Sequence, residues 1–178
     1  MSGKERVPGL FVVISVASVL VVCAGLRAFR IGGLPLWVDE VFSLNVAHQD
    51  SVSDWLRYQI HDANPPLSYL ALKAWLLLGD GTKHLRMLPL LFSLLASVAL
   101  FFIARSLCGF WVGLFALAIF ALHPFAIYYG REIRHPIMSA FFALPLLYAF
   151  VQILQGRRFL PYLMYFHLRC AAVVDALL

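Results

Sequence analysis

Twenty consecutive positions, Val7 to Leu26, carry no charge, and three more such windows follow: Met87–Ala104 (18 residues), Ser106–Gly130 (25) and Pro136–Gly156 (21). A helix that crosses the roughly 30 Å hydrocarbon core of a bilayer needs about 20 apolar residues. Four such windows in 178 residues constrain the chain more than any other feature. Composition agrees: 62% of residues are apolar and 13% charged, against about 45–50% and about 25% in soluble domains. A mean hydropathy of +0.86 points the same way. A soluble domain and a disordered chain are both excluded. The expected fold is all-α, a polytopic membrane helical bundle with spans near 7–28, 86–105, 107–129 and 136–156.

The first window is too long for a signal-peptide core, and no small-x-small site follows it before Arg27. Val22 stands where a lipoprotein signal needs a small residue before Cys23. It reads as an uncleaved first span. The net charge of +5 does not indicate nucleic acid, because the 14 Lys and Arg are scattered and form no basic stripe. Cys23, Cys108 and Cys170 have no metal or disulfide spacing.

Pro65–Leu78 is apolar but only 14 residues long, and it contains Lys73. The expectation is an interfacial helix over 65–78, capped by Asp62 or Asn64, with Lys73 reaching to the headgroups. A second interfacial helix is expected over 39–48. A tilted short span is the competing reading of 65–78. If 65–78 does not cross, Arg27–Arg86 and Tyr128–His135 lie on one face. Lys and Arg counts, eight there against five opposite, do not orient the set by the positive-inside rule. Seven of nine acidic residues collect on that same face, which reads as a working surface.

Four features there could carry chemistry. Asp39 and Glu40 follow Trp37 just beyond the first span; a partly desolvated carboxylate suits a general base, while both also suit the first turn of a helix. His61, Asp62 and Asn64 form a polar turn suited to orienting a substrate or holding a metal, or to plain N-capping. Tyr128-Tyr129-Gly130-Arg131-Glu132-Ile133-Arg134 mixes an aromatic belt with an Arg-Glu-x-Arg cluster. Arg86 opens the second span. Carboxylates, arginines and tyrosines converging at one face suit an anionic, membrane-borne substrate.

Quoted in order, LWVDEVFSL, DANPPLSYLALKAWLLLGD, LRMLPLLFSLLASVALFFIARSLCG and ALHPFAIYYGREIRHPIMSAFFAL resemble the N-terminal part of GT-C glycosyltransferases. The nearest group is that of protein O-mannosyltransferases and lipid A aminoarabinose transferases. The resemblance covers roughly Gly9 to Arg158. It implies transfer of a sugar from a polyprenyl-phosphate donor to a lipid, protein or glycan acceptor, outside the cytoplasm, with a bacterial or archaeal inner membrane as the setting. By that resemblance Asp39 falls on the catalytic acidic position, with Glu40 beside it. Asn64-Pro65-Pro66 falls on a His-Pro-Pro turn, Asn replacing His. Arg86 matches an arginine opening the second span. Glu132 and Arg134 match a second acidic motif, usually Gln-Glu-Ala-Arg, and His135-Pro136 replaces its Met-Tyr.

The implied chemistry is an inverting displacement. Asp39 deprotonates the acceptor, Arg86 and Arg134 with Arg131 stabilise the departing phosphate, and Glu132 either orients an arginine or holds a divalent cation. His61, Asp62, Asn64 and Tyr129 complete the expected substrate contacts. Relatives of this kind run to about a dozen spans, so residues 1–158 read as the N-terminal part of the module and 159–178 as an incomplete fifth segment. The 178-residue chain alone is expected to insert without transferring sugar. The alternative is a non-catalytic multi-span protein or an inactive truncated fragment. A transporter half is disfavoured, since only His123 lies deep in an apolar window.

Overall fold

The structure, a computed structural model, describes residues 8–33, 35–49, 51–61 and 64–155. Eight helices follow one another: α1 (Gly9–Ala28), α2 (Val38–Ala47), α3 (Val52–His61), α4 (Pro66–Leu76), α5 (Thr82–Cys108), α6 (Phe110–Leu122), α7 (Pro124–Tyr129) and α8 (Pro136–Leu154). No strand occurs among the described residues. Helices α1, α5 and α8 are long and apolar enough to cross a membrane, and the fold is a membrane helical bundle. The expected atypical segment 159–178 lies outside the described residues.

Helix α5 is the central post, packed on α1, α4, α6 and α8. Ser93, Ala96, Ser97 and Ala99 are fully buried along it. Small side chains let helix backbones approach closely where water supplies no hydrophobic drive between helices. The α5–α6 link is the single residue Gly109, at φ 99°, a conformation only glycine adopts without strain. The hairpin then closes so tightly that a Cβ on Gly113 would stand 2.9 Å from the Phe101 carbonyl oxygen. Because that hairpin reverses direction, the Thr82 end of α5, the Tyr129 end of α7 and the Pro136 end of α8 share one side. Helices α2 and α4 pack there, over a core of Leu44, Ala47, Leu72, Leu85, Leu88, Ile133, Ile137 and Met138.

Four expectations need correction. The window 107–129 is not one helix: it breaks at His123, with α6 ending at Leu122 and α7 starting at Pro124. Pro124 has no N–H to continue the ladder, and its ring disfavours a helical residue before it; His123 accordingly sits at ψ 124°. His123 itself is the N-cap of α7 and lies at the surface of the bundle. Helix α6 alone, 13 residues, rises only about 20 Å. The amphipathic helix α3 lies between the two expected interfacial helices. Helix α4 is N-capped by Pro65 with no side-chain hydrogen bond; Asn64 Nδ2 donates instead to the Tyr69 hydroxyl at 3.1 Å. Lys73 does not reach for headgroups: its ammonium donates to the Gln49 carbonyl and ties α4 to the end of α2. At 11 residues, α4 rises about 16 Å, well short of a span.

Candidate active site

Helix α2 begins where Leu36-Trp37 leaves the loop. Glu40, three residues after the N-cap, reaches back with Oε2 to accept the Trp37 backbone N–H at 3.0 Å. Successive helical residues point about 100° apart, so Asp39 and Glu40 face different surroundings although adjacent. Glu40 is 1% exposed. Its Oε1 accepts Arg86 Nε at 3.3 Å and the Ile133 N–H at 2.9 Å, and its Oε2 accepts Arg86 Nη2 at 2.8 Å. The Arg86 guanidinium, 3% exposed, also donates to the carbonyls of Ile31 and Pro35 at 2.9 and 3.2 Å. Sequence reading gave Glu40 a catalytic role and Arg86 a phosphate; the geometry makes them a two-pronged buried brace. It joins α5, the α1–α2 loop, α2 and the α7–α8 loop.

Asp39 is the contrasting neighbour. Its side chain is 62% exposed, and Oδ2 stands 3.2 Å from Arg134 Nη1. The same Nη1 lies 3.8 Å from Glu132 Oε1. Arg134 therefore bridges two carboxylates that are 93 positions apart in sequence. Glu132 is 6% exposed; Oε1 accepts the Tyr128 hydroxyl at 3.4 Å, and Oε2 is buried without a hydrogen-bond partner. Burial pushes the Glu132 carboxyl above the usual range; Arg134 opposes this, and the charges of Glu40 and Asp39 add to it. A buried, half-satisfied carboxyl is a good place to keep a proton or to receive a ligand hydroxyl.

A cleft of about 80 Å³ opens between these elements, lined by Trp37, Glu40, Arg86, Tyr128, Arg131 and Glu132. Arg131 is half-buried and makes no ion pair with a described residue. Tyr129 faces away from this cleft, packing on the core and stacking with Phe125. Tyr69, whose hydroxyl Asn64 bonds, lines a second, smaller cavity of about 10 Å³ that Arg134, His135, Ser43 and Ser68 also border. The His61 side chain and Asp62 lie outside the described residues. No three His, Cys, Asp or Glu side chains come together for a metal among the described residues; Glu132 contacts Arg134 and Tyr128, with Glu40 and Asp39 near enough for their charges to act on it.

A profile of the family described as dolichyl-phosphate-mannose-protein mannosyltransferase matches residues 63–173, more than half of the chain. The chain belongs to this family. Comparison with curated proteins and with solved structures finds no significant match. The mannosyltransferase match covers Asn64, Arg86, Arg131, Glu132 and Arg134 and stops short of Asp39 and Glu40. What joins the two acidic residues to the matched part is physical contact: Glu40 to Arg86 and Ile133, and Asp39 to Arg134.

Sequence reasoning missed three contributors. Trp37 appeared there only as a neighbour of the acidic pair, yet it forms one wall of the cleft. The Ile133 N–H is a backbone donor that no side-chain pattern reveals. Arg27, read as a loop residue flanking the first span, is 0% exposed inside the bundle. Its signal was available: Cys23 and Arg27 share one face of α1 at an i, i+4 spacing, and they are its only buried residues.

Proposed function

We propose that this chain carries the reaction face of a membrane mannosyltransferase that takes its sugar from a polyprenyl-phosphate donor. The acceptor is a hydroxyl on a lipid, protein or glycan at the extracytoplasmic face, and the displacement inverts the anomeric carbon. Asp39 removes the acceptor proton as the oxygen attacks. Arg134 holds Asp39 and Glu132 in register. Arg131, the cleft cation without a carboxylate partner among the described residues, takes the departing phosphate. Glu132 receives a sugar hydroxyl on its open oxygen, and Trp37 and Tyr128 flank the ring. Glu40 and Arg86 act as positioning residues.

The observation that carries this reading is the division of labour at 39 and 40. One carboxylate is buried and fully engaged; the other is exposed, paired with Arg134, and next in sequence to Glu40, which lines the cleft together with Arg131. The test is transfer from radiolabelled polyprenyl-phosphate mannose to hydroxyl acceptors in reconstituted membranes, using the protein with its complete reading frame. General-base catalysis contributes about 10²–10⁴-fold, so Asp39→Asn should lower turnover by that much while insertion persists. Near-normal turnover in Asp39→Asn removes Asp39 from the role.

A further inference from the structure

A guanidinium buried among apolar helices without a carboxylate needs an explanation, because intramembrane charges are costly and are retained where they do something. Arg27 has no acidic partner among the described residues. Its Nε donates to Ser93 Oγ at 2.6 Å; Nη1 donates to the carbonyls of Cys23 and Ala121 at 3.2 and 3.0 Å; Nη2 donates to the carbonyl of Phe120 at 3.3 Å. The guanidinium carbon also lies 6.0 Å from the centre of the Phe120 ring. Two of these acceptors are special. In an unbroken helix the Phe120 carbonyl would bond the N–H of residue 124, which is proline and has none. The Ala121 carbonyl would bond the N–H of Phe125, but the extended His123 turns α7 off that line. Arg27 thus supplies donors to the two carbonyls that the Pro124 break strips of partners.

The same guanidinium meets the exit of α7. A Cβ on Gly130 would lie 3.0 Å from Arg27 Nε and 3.0 Å from Ser93 Oγ, so the backbone leaving α7 rests on the Arg27–Ser93 bond. Helix α7 has six residues, too few to hold a helical geometry by itself. Arg131 and Glu132 follow it directly.

We infer that Arg27 is a positioning residue: by clamping the end of α6 that leads into α7 and the Gly130 exit from α7, it sets where Arg131, Glu132 and Arg134 stand against Asp39. The placement follows from hydrogen bonding and close packing, and it holds whatever reaction the site performs.

The test reads geometry rather than turnover. In the complete protein with Cys23, Cys108 and Cys170 changed to Ser, cysteines at Trp37 and Tyr128, both exposed cleft residues, are bridged by a short bifunctional maleimide. Arg27→Gln should reduce the bridged fraction roughly tenfold, the equivalent of one lost charge-assisted hydrogen bond. Arg27→Lys, which keeps the charge and can reach one carbonyl, should restore part of it. A control pair at Phe92 and Phe141, whose rings stand 5.6 Å apart across α5 and α8, should bridge equally in all variants. Should Arg27→Gln fail to insert, Gly130→Val displaces α7 with the charge left in place and should give the same loss. An unchanged Trp37–Tyr128 fraction in a folded Arg27→Gln or Gly130→Val protein overturns the inference, as does an equal fall in the control pair.

Discussion

Glu40→Gln is the sharpest probe of the brace. The change keeps size and shape but turns one carboxylate oxygen into an amide nitrogen. If the nitrogen takes the Oε2 position, it faces two donors, Arg86 Nη2 and the Trp37 N–H, at 2.8 and 3.0 Å. If it takes the Oε1 position, it faces Arg86 Nε and the Ile133 N–H, at 3.3 and 2.9 Å. Either way two hydrogen bonds are lost and a guanidinium 3% exposed loses its counter-charge. Breaking a buried ion pair from one side costs about 3–5 kcal/mol. At about 2–4 °C per kcal/mol for a chain of this size, the midpoint should fall by roughly 6–20 °C. Asp39→Asn disturbs an exposed pair worth about 0–1 kcal/mol and should move the midpoint little. Thermal unfolding in detergent micelles, followed by the fluorescence of Trp37, Trp55, Trp75 and Trp111, separates the two. Replacing both partners, Glu40→Leu with Arg86→Met, strands no buried charge but takes a partner from the Trp37 and Ile133 N–H groups and the Ile31 and Pro35 carbonyls, so it should recover only part of the loss. Equal midpoints for the two single variants would refute the division between a buried brace and an exposed reactive group.

Two further expectations follow from the site and the topology. Because burial raises the Glu132 carboxyl in the folded protein, the native state holds that proton at higher pH than the unfolded chain does; stability contributed there is present below the ordinary glutamate value and declines as pH rises through the raised one. Glu132→Gln should flatten that decline in a pH series of thermal midpoints, and an unaltered slope would exclude Glu132 as its source. Single cysteines at Ser51 and Ser139 should both label with an impermeant thiol reagent from outside while one at Ser106 should not; labelling that separates Ser51 from Ser139 would mean that α4 crosses the membrane.

Much of the bundle was legible because a bilayer imposes a length rule on apolar runs, and α1, α5 and α8 obey it with little help from packing. The third window failed the same rule for a local reason: hydropathy does not register that Pro124 lacks an N–H. The convergence of the acidic pair with Arg86 and Arg134 followed from loop parity and needed no side-chain geometry. What loop parity could not resolve was which carboxylate of the pair is free. That depends on the phase of a helix that starts one residue before Asp39, and on a backbone N–H at Ile133 that exists as a donor only in the folded state. Lys73 was misjudged similarly: a long basic side chain near headgroups ordinarily snorkels, but the end of α2 offers it a carbonyl closer by.

Arg27 also bears on how the chain is made. Helix α1 leaves the ribosome before α5 and α6, and the partners of its guanidinium lie far downstream, Ser93 by 66 positions and Ala121 by 94. Until they arrive, the guanidinium in the last turn of α1 has only water and headgroups to bond. The newborn helix therefore rides with Arg27 at the lipid–water boundary. It exchanges water for Ser93, Phe120 and Ala121 only when the α5–α6 hairpin is in place. Packing of α1 is in this way a late event of assembly, and a ribosome stalled before Ala121 should leave Arg27 open to a water-soluble arginine reagent that the finished protein excludes.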